Sequence, residues 1–126
     1  MFRRLSKWVL ALPTVLLLQC ISASNPKAKL EVYWVLEGDL SCEQAGVGRL
    51  EILLKDDQEK ELAHDTQWSC GDEPWTQRKL EQGTYHLWVY AYSALDTDLV
   101  KYSLEDEDLK VIEGTSEHDI TLNYVE

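Results

Sequence analysis

Basic residues are scarce in this chain: 12 lysines and arginines stand against 23 acids among 126 residues, a formal net charge of −11. A surface of that sign repels phosphates, and nucleic-acid binding needs a basic footprint, so recognition of DNA or RNA is excluded. Adhesion of the folded domain to anionic lipid headgroups is disfavoured for the same electrostatic reason. Helical patterning is missing too. Beyond the first twenty or so residues, no stretch holds a 3.6-residue apolar period over three turns. Catalytic constellations are equally thin, with no nucleophile elbow and no Cys-His arrangement. Paired carboxylates carry no signal where acids are this abundant. No enzymatic activity, catalytic residue or cofactor is expected. Internal repeats, low-complexity tracts and a second domain are also absent.

What is present begins with an export signal. Arg3, Arg4 and Lys7 precede an apolar run from Trp8 to Leu18, and small or polar residues follow from Gln19 to Asn25. The run is interrupted by Pro13 and is short for a membrane span, which takes about 20 apolar residues. Residues 1–19 therefore read as a signal peptide with a helical core, 20–28 as a tether and 29–126 as the folded domain. Leu17-Leu18-Gln19-Cys20 resembles the lipobox of bacterial lipoproteins, in which the cysteine is acylated and becomes the new N-terminus. Gln19 stands where a small residue is usual, and ordinary cleavage near Ser22-Ala23-Ser24 is the competing reading. The reading favours a lipid on Cys20. That lipid is the only membrane contact expected, which makes the protein a periplasmic or outer-membrane lipoprotein; without it, the protein is a secreted one.

Setting Cys20 aside leaves Cys42 and Cys70. In an oxidising compartment such a pair reads as a disulfide. Closing a loop of that length is worth about 3.5 kcal/mol in the chain-entropy account. The competing reading is two free thiols or half a zinc site, but neither cysteine has a second ligand at zinc spacing.

The remaining pattern is alternation, the signature of strands whose side chains point to opposite faces. Leu30 to Leu36 is the first strand, and Ser41 caps one brief helical turn through Ala45. Arg49 to Lys55 and Lys60 to Cys70 form a hairpin around Asp56-Asp57-Gln58-Glu59. Trp75 to Leu80 is a short extended piece. Thr84 to Ser93 is apolar on both faces, with Tyr85, Leu87, Val89 and Ala91 on its core side. Leu99 to Leu104 and Leu109 to Ile112 are further strands, separated by an acidic turn at Glu105–Asp108. Ile120, Leu122 and Tyr124 align on the last strand. About seven short strands with frequent turns predict an all-β fold, a single antiparallel β-sandwich.

Leu80-Glu81-Gln82-Gly83-Thr84-Tyr85-His86-Leu87-Trp88-Val89 resembles the Leu-x-x-Gly-x-Tyr-x-Leu-x-Val signature of transthyretin-like and carboxypeptidase-regulatory-like β-sandwiches. Together with Trp34, Gly38, Cys42, Ala45-Gly46-Val47 and Cys70, it is similar to small exported bacterial lipoproteins carrying one such domain. The resemblance spans about Leu30 to Leu122 and implies an immunoglobulin-like or prealbumin-like sandwich. It carries over no enzymatic residue.

Functional candidates are few. Trp88, Tyr90 and Tyr92 recur at every second position, with Tyr33 and His86 as possible neighbours. Such a row is either a platform for sugar rings, as in carbohydrate-binding modules, or packing for its own sake. Asp96 and Asp98 are weak calcium candidates that match no established spacing. The dipeptides His64-Asp65 and His118-Asp119 point their side chains to opposite faces of a strand, so no metal site is expected there. Two function classes follow: a non-enzymatic cell-envelope protein making binding or structural contacts, with a protein partner, or a glycan-binding module.

Overall fold

The protein is described by a computed structural model over residues 27–126. The signal peptide, Cys20 and all of the tether before Lys27 lie outside the described residues.

The elements run β1 (Ala28–Leu36), α1 (Cys42–Ala45), β2 (Val47–Asp56), β3 (Glu61–Ser69), β4 (Trp75–Leu80), β5 (Gly83–Ser93), β6 (Val100–Val111) and β7 (Gly114–Tyr124). The fold is all-β. Its strands make one curled sheet in the order β3-β2-β5-β6-β7-β1-β4. One hydrophobic core lies inside the curl, drawn from the inward side chains of β1, β2, β4, β5, β6 and β7.

Alternation decides which side chains face that core. In β1, Ala28, Leu30, Val32, Trp34 and Leu36 are buried while Lys29, Glu31, Tyr33 and Val35 point outward. In β2 the inward set is Leu50, Ile52 and Leu54, and in β5 it is Tyr85, Leu87, Val89 and Ala91, as the alternation predicts. Trp75 opens β4 and is fully buried. Its indole Nε1 donates to Asp65 Oδ2 at 2.6 Å, which satisfies the one polar atom the ring takes inside.

Ser41 caps α1 as its position before Cys42 suggests. Its hydroxyl accepts from the Gln44 amide while the Gln44 side chain accepts from the Ser41 amide, a reciprocal capping box. Gly46 ends the turn at φ 70°, a left-handed conformation that favours glycine. Cys42 and Cys70 form the expected disulfide with Cα atoms 6.0 Å apart, tying α1 to the end of β3. The Trp34 indole donates to the Cys70 carbonyl at 3.0 Å, so the bridge also sits against the core.

The signature ahead of β5 has a physical reading. The Tyr85 hydroxyl donates to the Glu81 carbonyl four residues upstream, pinning the β4–β5 turn to the strand it feeds. This is the device known from immunoglobulin-like sandwiches as a tyrosine corner.

Two expectations are corrected. Glu105–Asp108 is not a turn but the middle of the continuous strand β6. Its backbone pairs with the long strand β5, His86 opposite Asp108 and Leu87 opposite Glu107, while all four acidic side chains stay exposed. The pairing is not wholly antiparallel either, because β1 and β7 run parallel from Ala28↔Gly114 to Leu36↔Leu122. Tyr124 shares the face of Ile120 and Leu122 as the alternation predicts, but at the end of the strand it is 56% exposed and packs edge-on against the buried Tyr102.

A candidate binding face on strands β2, β5 and β6

The outward residues of β5, namely His86, Trp88, Tyr90 and Tyr92, are half-buried, in contrast to their fully inward neighbours. They lie between β2 and β6, with Leu53 opposite Trp88 and Glu51 opposite Tyr90 on one side and Ser103 opposite Tyr90 on the other. The rings are therefore partly covered, neither bare nor fully buried. Single cationic side chains cover two of them: the Arg49 guanidinium stands 3.8 Å from the Tyr92 ring centre and the Lys55 amine 5.1 Å from that of Trp88. Such contacts are worth about 0.5–1 kcal/mol at exposed sites.

Arg49 is held in that position. Its two terminal nitrogens donate to the carbonyls of Thr66 and Thr97 at 2.8 and 2.9 Å. The Tyr92 hydroxyl donates to Glu51 Oε1 at 2.9 Å, and the other Glu51 oxygen meets His64 Nε2 at 2.7 Å. The His64 hydrogen bond, joined by the Tyr92 hydroxyl, holds the Glu51 carboxyl below its usual range against the opposing effect of burial. Burial and then the Glu51 contact push the Tyr92 phenol up, and burial with nearby Glu105 and Glu51 does the same to Tyr90. Neutral phenols flanked by a fixed carboxylate and a fixed guanidinium offer stacking area together with directed hydrogen-bonding groups.

Tyr33 is not part of this face. It projects outward from β1, in the other half of the curl, where it pairs with Asp119 and its hydroxyl lies 3.4 Å from Glu31 Oε1. Asp96 and Asp98 sit in the β5–β6 loop, where the Asp96 side chain accepts from the Asp98 amide at 3.3 Å. They lie ahead of β6, several residues of extended chain away from Glu105–Asp108, so the two acidic groups do not share a site.

One grouping was not foreseen. At the start of β5, His86 Nδ1 lies 2.9 Å from Oδ1 of both Asp106 and Asp108, and Nε2 lies 3.0 Å from Asp57 Oδ1. The Asp57 hydrogen bond and the two β6 carboxylates raise the imidazole pKa above its usual value despite some desolvation. Among the described residues, His86, Asp106 and Asp108 are the set whose ligand atoms come within 4.8 Å of one another, close enough to hold a metal ion. A cavity of about 220 Å³ opens beside the ring, walled by Lys55, Asp57, Glu59 and Trp88.

A bulge in β6 builds this cluster. Between Leu104 and Glu107 the strand spends three steps where β5, from Val89 back to Leu87, spends two. The surplus is absorbed at Asp106, whose φ is 54°, a left-handed conformation that aspartate tolerates better than most residues. The signal that would have found the cluster is period two: read as a strand, Asp106 and Asp108 share one face. No protein-family model matches this chain, and no curated protein matches it.

Proposed function

We propose that this chain is a non-enzymatic, exported binding domain of the cell envelope, anchored by a lipid on Cys20 and using the outer face of β2, β5 and β6 as its contact surface. It would then be a single-domain relative of the transthyretin-like and carboxypeptidase-regulatory-like sandwiches. The observation that carries the contact surface is the row of partly exposed rings, Trp88, Tyr90 and Tyr92, flanked by the tethered charges of Arg49 and Glu51. A disulfide between Cys42 and Cys70 agrees with an oxidising compartment. The test is a photo-crosslinking residue at Tyr90 in the intact envelope. A discrete adduct, lost when the crosslinker is moved to Tyr33 on the other half of the curl, supports this surface, and equal labelling from both positions overturns it. The mass of the mature N-terminal peptide decides the anchor: an acylated Cys20 supports it, and a peptide beginning near Asn25 ends it.

A second reading is favoured by the same rings. Aromatic side chains at every second position, about 6.6–6.8 Å apart along a strand, match stacking against successive sugar rings. Tryptophan fluorescence during titration with cell-wall and plant-type polysaccharides tests it. No spectral change across the panel, with Trp88→Ala also silent on insoluble glycans, removes it.

A further inference from the structure

We propose that His86, Asp106 and Asp108 form a binding site for a first-row divalent transition ion such as Zn²⁺, with Asp57 as the positioning residue that orients the imidazole. The site uses different side chains from the ring platform, so it stands or falls separately from the binding function proposed above.

The spacing is that of ligands around one ion. Nitrogen and oxygen donors bind such ions at about 2.0–2.2 Å, which puts two donors about 3 Å apart at a right angle and about 3.4 Å apart at a tetrahedral angle, so a small opening of the cluster admits Zn²⁺. His86 Nδ1 stands 2.9 Å from a carboxylate oxygen of Asp106 and 2.9 Å from one of Asp108. The ion takes the place of the Nδ1 proton, between the same three atoms.

The far side of the ring is arranged as metal-bound histidines require. A ligating imidazole usually donates its other N–H to a carboxylate or carbonyl, which fixes the tautomer and the ring orientation. Asp57 Oδ1 lies 3.0 Å from Nε2, placed to accept its proton, so that Nδ1, once the ion displaces its own proton, is the metal-binding atom. Asp57 comes from the β2–β3 turn, so the ring is fixed from the opposite side to its two ligand partners.

Three protein ligands leave the coordination shell open. The 220 Å³ cavity beside His86 has room for water or a small anion to complete it. An imidazole donor also sets the class of ion, since calcium and magnesium prefer all-oxygen shells. The bulge at Asp106 contributes by letting two carboxylates from one strand meet a single nitrogen.

The test is calorimetric titration of the untagged protein with Zn²⁺ alone and with Ca²⁺ alone, together with nitrogen-15 spectra of the histidine rings. One equivalent of Zn²⁺ should bind, with the ring signal of His86 shifted at Nδ1. His86→Gln should weaken binding more than tenfold, the Asp106→Asn/Asp108→Asn double variant should do the same, and Asp57→Asn should weaken it about tenfold. His64→Gln and His118→Gln should leave it unchanged. Asp57, Asp106 and Asp108 are exposed and His86 is half-buried, and each variant's thermal unfolding confirms that it is folded. The proposal is overturned if no Zn²⁺ binds at millimolar concentration, or if binding survives His86→Gln. It also fails if Ca²⁺ binds the same carboxylates as tightly as Zn²⁺ does, since that would be an oxygen-only acidic patch.

Discussion

The hydroxyl of Tyr85 is a single polar atom at the edge of the core, and its bond to the Glu81 carbonyl holds a turn in place. Glu81 is exposed, so water replaces the lost donor when the hydroxyl is removed. Tyr85→Phe should therefore cost about 1 kcal/mol, the usual net value of one hydrogen bond, as a shift in urea midpoint with unchanged slope. Glu51 supplies a pH dependence at the same scale. Its carboxyl is held below the usual value of 4.5 by His64 first and Tyr92 after it. A lowered folded-state value means that the unfolded chain takes up the proton first. The contribution is thus complete above about pH 4.5 and is lost as pH falls through the lower, folded value. Urea midpoints measured from pH 7 to pH 3 should fall less steeply in Glu51→Gln than in the parent. An equal slope would show that the Glu51 contacts do not persist in solution.

Strands β4 and β6 share a construction. In each, three steps oppose two on the neighbouring strand, and one non-glycine residue goes left-handed: Lys79 at φ 61° in β4 and Asp106 at φ 54° in β6. Left-handed backbone costs a side-chain-bearing residue roughly 1–2 kcal/mol, and glycine gives back about 0.5–1 through chain entropy. Lys79 is exposed. Lys79→Gly should consequently stabilise the domain by about 0.5–1 kcal/mol in chemical denaturation. These bulges also mark how far the sequence could be read. The alternation of β1, β2 and β5 was plain because every second residue is apolar, and Ser41 was plain because a capping residue has its own chemistry. Glu105–Asp108 was opaque: four acids in a row carry no period, and what makes them a strand is the backbone of β5 alongside. With that stretch taken for a turn, the meeting of His86 with Asp106 and Asp108 could not be seen. Asp57 was a further blind spot, because its role depends on the register of a hairpin rather than on nearby residues.

At the scale of the whole molecule, the direction of pairing was similarly hidden, since alternation says which face a residue takes but not which strand lies beside it. The parallel match of β1 with β7 joins the first and last strands of the domain. The disulfide works at this scale too. Reduction of Cys42–Cys70 frees a long loop in the unfolded chain and should lower stability by about 3.5 kcal/mol in urea. Before reduction, no thiol of this pair should react with a thiol reagent. The parallel match has a mechanical consequence as well. Ala28 lies at one end of the β1–β7 ladder and Tyr124 leaves it at the other, so tension applied through the two chain ends slides one strand along its neighbour. All nine paired positions then bear the load together. Tension applied instead between Lys27 and Glu113, at the same end, peels the pairs apart one after another. Single-molecule pulling should find a markedly higher rupture force in the first geometry, and equal forces would mean that another strand pair yields first. Load carried from Ala28 to Tyr124 is thus met by the whole β1–β7 ladder in shear rather than pair by pair.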